Sequence, residues 1–242
     1  MSAKARLFQE VLQRLKQGTP YVRSAEVAAL ARELGLEISE STLPVYLSEA
    51  MATGLIHDAG RGWYSSLANA FELDAWQVKP LVTRLKKKFP LLDFTCWSTG
   101  QVRAFGHHLL ARFVSFVHTD RDAMSSVAGF LKDGGYDVHL NPRAEAARQF
   151  TIRDRTVVVR PKNSAQPHDD HQVAIEGLLV ELFVESRALN LMDASECCRI
   201  FANLAGQARI SMATLLDYAR ERRPAALGFI ELINGEFTKK SA

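Results

Sequence analysis

A few short stretches of this chain carry side chains able to do chemistry. His168-Asp169-Asp170-His171 sets two imidazoles beside two carboxylates, a donor set that a divalent metal could use. It falls in the polar, proline-containing run Lys162–Gln172 with no further ligand close in sequence, so a solvated loop is expected there. His107-His108 adds two imidazoles on an expected helix, Gly100–Leu110, whose neighbours point about 100° apart, so at most one of the pair faces the core. Asp93 could open a magnesium-dependent nuclease site, yet the strand expected beside it, Arg112–His118, lacks the carboxylate and lysine needed to complete one. No GxxxxGK[ST], GxGxxG after a strand, GxSxG or HExxH occurs. The expectation is a protein with no catalytic residues, no cofactor and no metal. What remains is hydroxyl chemistry: Ser41, Thr42, Tyr46 and Ser48 can reach bases or phosphates.

The elements that would position those hydroxyls read as a winged helix-turn-helix. A first helix, Lys4–Gln17, gathers Leu7, Phe8, Val11, Leu12 and Leu15 on one side. A second begins after Ser24, a capping residue, buries Val27, Ala28, Leu30, Ala31 and Leu34, and stops at Gly35. Ser41 or Thr42 caps a third, in which Pro44 sits in the first turn and Leu43, Leu47, Ala50 and Met51 share a face. Leu55-Ile56-His57 and Gly62-Trp63-Tyr64 then form two short strands around Asp58-Ala59-Gly60-Arg61. The outer face of the third helix carries Ser41, Thr42, Val45, Ser48 and Glu49 with Tyr46 at its edge, but no arginine or lysine. Arg23, Arg32 and Arg61 could flank it, and Lys86, Lys87 and Lys88 could add a phosphate-facing patch from the helix ending near Phe89.

Of the 242 residues, 47% are hydrophobic and 24% charged, proportions of a folded globular protein, and the net charge of +3 permits nucleic-acid contact without requiring it. No run approaches the roughly 20 apolar residues of a membrane span, and the start of the chain enters an amphipathic helix instead of a signal core. A cytoplasmic protein without membrane contact is expected. Three cysteines, Cys96, Cys197 and Cys198, lack CxxC spacing and suit reduced, mostly buried thiols.

The fold class expected is mixed α and β: a winged helix over residues 1–70, then 71–242 as a mixed α/β core with a C-terminal helical bundle. In the core, strands are expected at Leu91–Trp97, Arg112–His118, Tyr136–Leu140, Arg148–Ile152 and Thr156–Arg160, with a helix at Asp120–Lys132. Three helices follow, from Val173, from Asp193 with Glu196 as a capping box, and from Ser211 to Pro224. The residues after it, through Thr238-Lys239-Lys240, are expected to be short and frayed.

The segment FTCWSTGQVRAFGHHLLARFVSFVHTD, the strand TVVVRPK, the helix VAIEGLLVELF and the late LLDYARERRP, placed behind a winged helix, resemble the AbiEi antitoxins of the abortive-infection AbiE type. The resemblance spans Val22 to Pro224 and rests on segment order and on Trp97, Ser98, Thr99, His108, Glu176, Tyr218, Arg222 and Arg223. It implies an antitoxin whose N-terminal domain represses its own promoter, with a possible homodimer on that DNA. It also implies a C-terminal domain that neutralises a nucleotidyltransferase-like toxin encoded nearby. One departure stands out, since family-style DNA binding leads one to expect basic residues on the recognition helix and Ser41–Thr53 has none. Two other readings stay open: a winged-helix interaction module that never meets nucleic acid, and a degenerate metal-dependent nuclease.

Overall fold

The structure is a computed structural model that describes residues 2–18, 20–106, 112–223 and 225–238. Helix α1 (Ala3–Gln17) is capped by Ser2, whose Oγ accepts from the Ala5 N–H at 3.2 Å. Strand β1 (Tyr21–Arg23) leads into α2 (Ser24–Glu33). Ser24 does not cap α2 as its residue type suggested; it is already helical, and the Glu26 carboxylate reaches back to the Arg23 N–H at 2.8 Å. At α3 (Thr42–Ala52) Ser41 holds the N-cap position but its side chain makes no capping bond; the Ser39 Oγ, two residues earlier, accepts from the Thr42 N–H at 3.1 Å. Strands β2 (His57–Asp58) and β3 (Trp63–Ser65) complete an antiparallel sheet in the order β1-β3-β2, so a third strand joins the two anticipated. Leu7, Val11, Val27, Leu30, Leu43, Leu47 and Ile56 close the core of this unit.

A six-stranded mixed sheet follows, in the order β6-β7-β5-β4-β9-β8. Helix α4 (Lys79–Lys88) precedes β4 (Phe94–Ser98), a 3-10 turn over Thr99–Phe105, β5 (Ser115–Thr119), α5 (Met124–Asp133), β6 (Asp137–Leu140), α6 (Ala144–Arg148) and β7 (Thr156–Pro161). Strands β8 (His168–Asp169) and β9 (Gln172–Val173) form a small hairpin, and α7 (Ile175–Leu189), α8 (Ala194–Gln207), α9 (Met212–Glu221) and α10 (Leu227–Thr238) follow. Strands β5, β6 and β7 run parallel, β4 pairs antiparallel with β5, and β4 joins β9 in parallel. The two-residue period of the strands sorts their side chains onto two faces. Phe94, Cys96, Val117, Val157 and Val159 meet Leu81 and Leu85 of α4, Val78 just before it, and Met124, Val127 and Leu131 of α5. Trp97, Phe116 and Val158 meet α7 and, behind it, α8 to α10.

Four expectations change. The helix over Gly100–Leu110 is a 3-10 turn as far as Phe105, and His107 and His108 lie outside the described residues, as does Pro224. The strand at Arg148–Ile152 is absent: Ala144-Glu145-Ala146-Ala147-Arg148, rich in strong helix formers, makes α6 instead. The loop Lys162–Gln172 contains β8 and the start of β9. Residues 225–238 are not a short frayed stretch, because Phe229, Ile230 and Ile233 bury one side of α10, with Ala226 buried just before it. Among the described residues no helix is long and apolar enough to cross a membrane.

The small sheet is tied to the large unit. Tyr21, Ala59 and Trp63 belong to the same apolar cluster as α7 to α10. The Tyr21 hydroxyl donates to the Ala208 carbonyl at 3.1 Å and accepts from the Ile210 N–H at 3.0 Å, and burial pushes its pKa up to about 12. At the β2–β3 turn the Ala59 carbonyl accepts from the Met212 N–H at 2.8 Å, where α9 begins.

Candidate functional site

The outer face of α3 is open. Ser41, Pro44, Val45, Ser48 and Glu49 are exposed, while Leu43, Leu47 and Ala50 anchor the inner face. Not all the expected contact residues project from it. The Ser41 and Thr42 hydroxyls lie 2.9 and 2.7 Å from Ser39 Oγ, a local cluster at the start of the helix. Tyr46 is half-buried, edge-on to Phe8 with centroids 6.4 Å apart, and the Lys4 ammonium lies 5.7 Å from its ring. Its first task is therefore to join α3 to α1. Lys4 also pairs with Glu49. Arg23 is held by Glu26 at 2.7 Å and lies over the Trp63 ring, whereas Arg61 is exposed on the hairpin.

Helix α4 does not fold back as a free basic arm beside the hairpin. Its apolar side is bound into the sheet face opposite the one that takes up Tyr21, Ala59 and Trp63. Lys86, Lys87 and Lys88 are all exposed; Lys86 donates to Asp170 Oδ2 at 2.9 Å, and Lys88 lies over Phe130. The tip of the hairpin is also occupied. Gly60, at φ +94°, sits so close to α9 that a Cβ would fall 2.6 Å from Ser211 Oγ and 2.7 Å from the Ala213 Cβ. Glu176 serves the same junction by accepting from the Ser211 N–H at 2.7 Å.

The resemblance-derived positions divide. Ser98 and Thr99 are structural: Ser98 Oγ accepts from the Gly100 N–H, and Thr99 Oγ1 accepts from the Val114 N–H. Arg223 is exposed just past α9, and His108 lies outside the described residues. Trp97, Tyr218 and Arg222, from β4, α9 and its end, converge on one buried polar network. The Trp97 indole N–H donates to His118 Nε2 at 3.2 Å, and the Gln166 amide lies 3.2 Å from Nδ1. An indole nitrogen only donates, so Nε2 accepts from Trp97. Burial holds the His118 pKa down to about 3. The Tyr218 hydroxyl donates to Glu181 Oε1, and burial followed by the Glu181 charge pushes its pKa upward. Arg222 Nη2 donates to Glu181 Oε2 at 2.9 Å, and Arg160 holds Glu185 through two bonds of 2.9 and 2.5 Å.

This network borders a cleft of about 410 Å³. The cleft lies where the parallel strands β5, β6 and β7 end, at His118, Asn141 and Arg160, the end of an open α/β sheet where ligands characteristically bind. Sequence reading missed His118, Arg160, Glu181 and Glu185. The available signal was Glu181 and Glu185, two carboxylates one turn apart on the apolar side of α7.

The remaining candidates disperse. His171 stacks on Phe94 at 4.0 Å and bonds its carbonyl, and His168 bonds the Gln166 carbonyl. Asp93 pairs with Lys162 beyond β7, a lysine that the adjacent strand had not offered. Among the described residues no three His, Cys, Asp or Glu side chains are grouped to hold a metal. Burial raises the thiol pKa values of Cys96 and, to about 11, of Cys197.

A family model described as a family of unknown function, DUF6577, matches residues 42–239. That is more than half of the chain, which belongs to this family. No curated protein and no solved structure matches it.

Proposed function

We propose that this member of the DUF6577 family is a non-enzymatic, cytoplasmic antitoxin and transcriptional autoregulator. In this reading α1 to α3 and the small sheet act as a winged helix on the chain's own promoter, with a second copy of the chain as a candidate partner there. Residues 71–242 neutralise a nucleotidyltransferase-like toxin encoded nearby. The observation that carries the DNA half is the open outer face of α3, where Ser41 and Ser48 stand exposed on a helix whose inner side is locked by Leu43, Leu47 and Ala50. The antitoxin half rests on the likeness to AbiEi proteins.

Fluorescence anisotropy with the chain's upstream DNA and a random duplex of equal length tests the first half. Binding at least tenfold tighter to the upstream DNA, and lost in Ser48→Asp, is expected; equal affinity for both duplexes overturns it. Co-expression with the adjacent gene tests the second, with relief of growth arrest expected and undiminished toxicity against it.

A second reading, a protein-interaction module, draws on the occupied hairpin tip and on Val45, which is 53% exposed on α3. A partner bound through apolar contact would hold its affinity as salt rises, whereas DNA would not.

A further inference from the structure

We infer that the cleft at the ends of β5, β6 and β7 is a binding site for a small anionic molecule, one carrying a carboxylate or phosphate group that engages Arg222. This goes beyond DNA and toxin binding and does not depend on either. A purely structural ion network leaves its donors satisfied, because a buried N–H without an acceptor is costly. Arg160 meets that standard: it bonds Glu185 twice and also donates to Asn141 Oδ1 at 3.2 Å and to the Pro142 carbonyl at 2.9 Å. Arg222 does not. Its Nη2 holds Glu181, but its Nε is buried and has no partner. Nε itself is closed off from the cleft, but the rest of the guanidinium, with Nη1 unbonded and the side chain 26% exposed, lines it and can meet an anion there.

Charge and shape agree. Arg143, Arg160 and Arg222 line the cleft against Glu181 and Glu185, leaving one positive charge over. Arg143 is the exposed member and stands at the rim. A volume of about 410 Å³ suits a molecule of metabolite size. His118, with its pKa held near 3, contributes no charge at neutral pH and fixes the wall by hydrogen bonds. At the rim Ala144 adopts φ +47°, a left-handed conformation that a non-glycine residue rarely takes and that clusters at ligand sites.

The test uses the full chain with three probes, inorganic phosphate, AMP and succinate, in constant chloride, by calorimetry and thermal denaturation. Saturable one-to-one binding of at least one probe is expected, with a melting point raised by roughly 5–10 °C at a hundredfold excess over Kd. A response to phosphate and AMP but not succinate assigns a phosphoryl group; the reverse assigns a carboxylate. Arg222→Lys keeps the charge but removes the planar guanidinium and its Nη1 donor, and should weaken binding about tenfold. Arg143→Ala, at an exposed position that does not threaten folding, should weaken it about threefold. The inference is overturned if no probe saturates below about 10 mM on a chain folded by circular dichroism. It is also overturned if probe binding is the same in Arg143→Ala as in the parent chain.

Discussion

Glu181 stands one helical turn before Glu185 on α7, and each carboxylate is almost wholly removed from water yet met by an arginine from another element. Removing one partner of such a pair leaves the other charge buried, so Glu181→Ala should cost about 3–5 kcal/mol of stability, more than an exposed pair's removal would. Urea denaturation measures it; a cost below about 1 kcal/mol would mean that the Arg222 guanidinium turns fully into the cleft's water once Glu181 is gone. His118 supplies a prediction with a definite sign. Its native pKa of about 3 lies below the ordinary 6.5, so in acid the unfolded chain binds a proton that the native state refuses. The contribution is whole above pH 6.5 and drains away between pH 6.5 and 3. The fall in unfolding free energy from pH 7 to pH 5 should therefore be larger in the parent than in His118→Gln, and equal falls would place the ring in contact with solvent. Trp97, Tyr218 and Arg222 were legible in the sequence as positions. Their partners were not, because His118 on β5 and Glu181 on α7 meet them only after the sheet and helices have packed.

Among the elements, α9 joins two regions. Its first residues hold the tip of the β2–β3 turn, and Tyr218 near its end reaches the polar network. Gly60→Ala tests the first junction, since a methyl group there meets Ser211 and Ala213 while the backbone stays at positive φ. A loss of about 2–4 kcal/mol is expected, together with faster proteolytic cutting between residues 58 and 63. Unchanged stability would show that the tip moves off α9 at little cost. The amphipathic helices α1 to α4 and α7 to α9 were readable because a 3.6-residue apolar period survives in one sequence. The hairpin β8–β9 was hidden because two-residue strands carry no period, and α6 because five residues make barely more than one turn. Helix α10 was hidden because Gly228, Asn234 and Gly235, all poor helix formers, interrupt its sequence.

For the whole molecule, charge sets what the N-terminal unit can do with DNA. The chain carries 30 lysines and arginines against 27 acidic residues, and the exposed face of α3 contributes Glu49 and no cation. Lys4 is spent on Glu49 and Arg23 on Glu26, which leaves Arg61 on the hairpin and the exposed Arg32 as the cations at hand, about two phosphate contacts for each copy. Affinity for the upstream DNA should then fall roughly tenfold for a monomer between 50 and 200 mM salt, and roughly a hundredfold for a two-fold dimer. Arg61→Ala should flatten the salt dependence by about one phosphate contact per copy. Replacing Lys86, Lys87 and Lys88 with alanine asks whether α4 takes part from its place on the sheet. An unchanged slope confines the DNA contact to residues 1–70, whereas a slope reduced by two or three contacts per copy means that the duplex also runs along α4. A slope near zero in the parent chain would remove phosphate from the interface altogether and leave the open face of α3 to a protein partner.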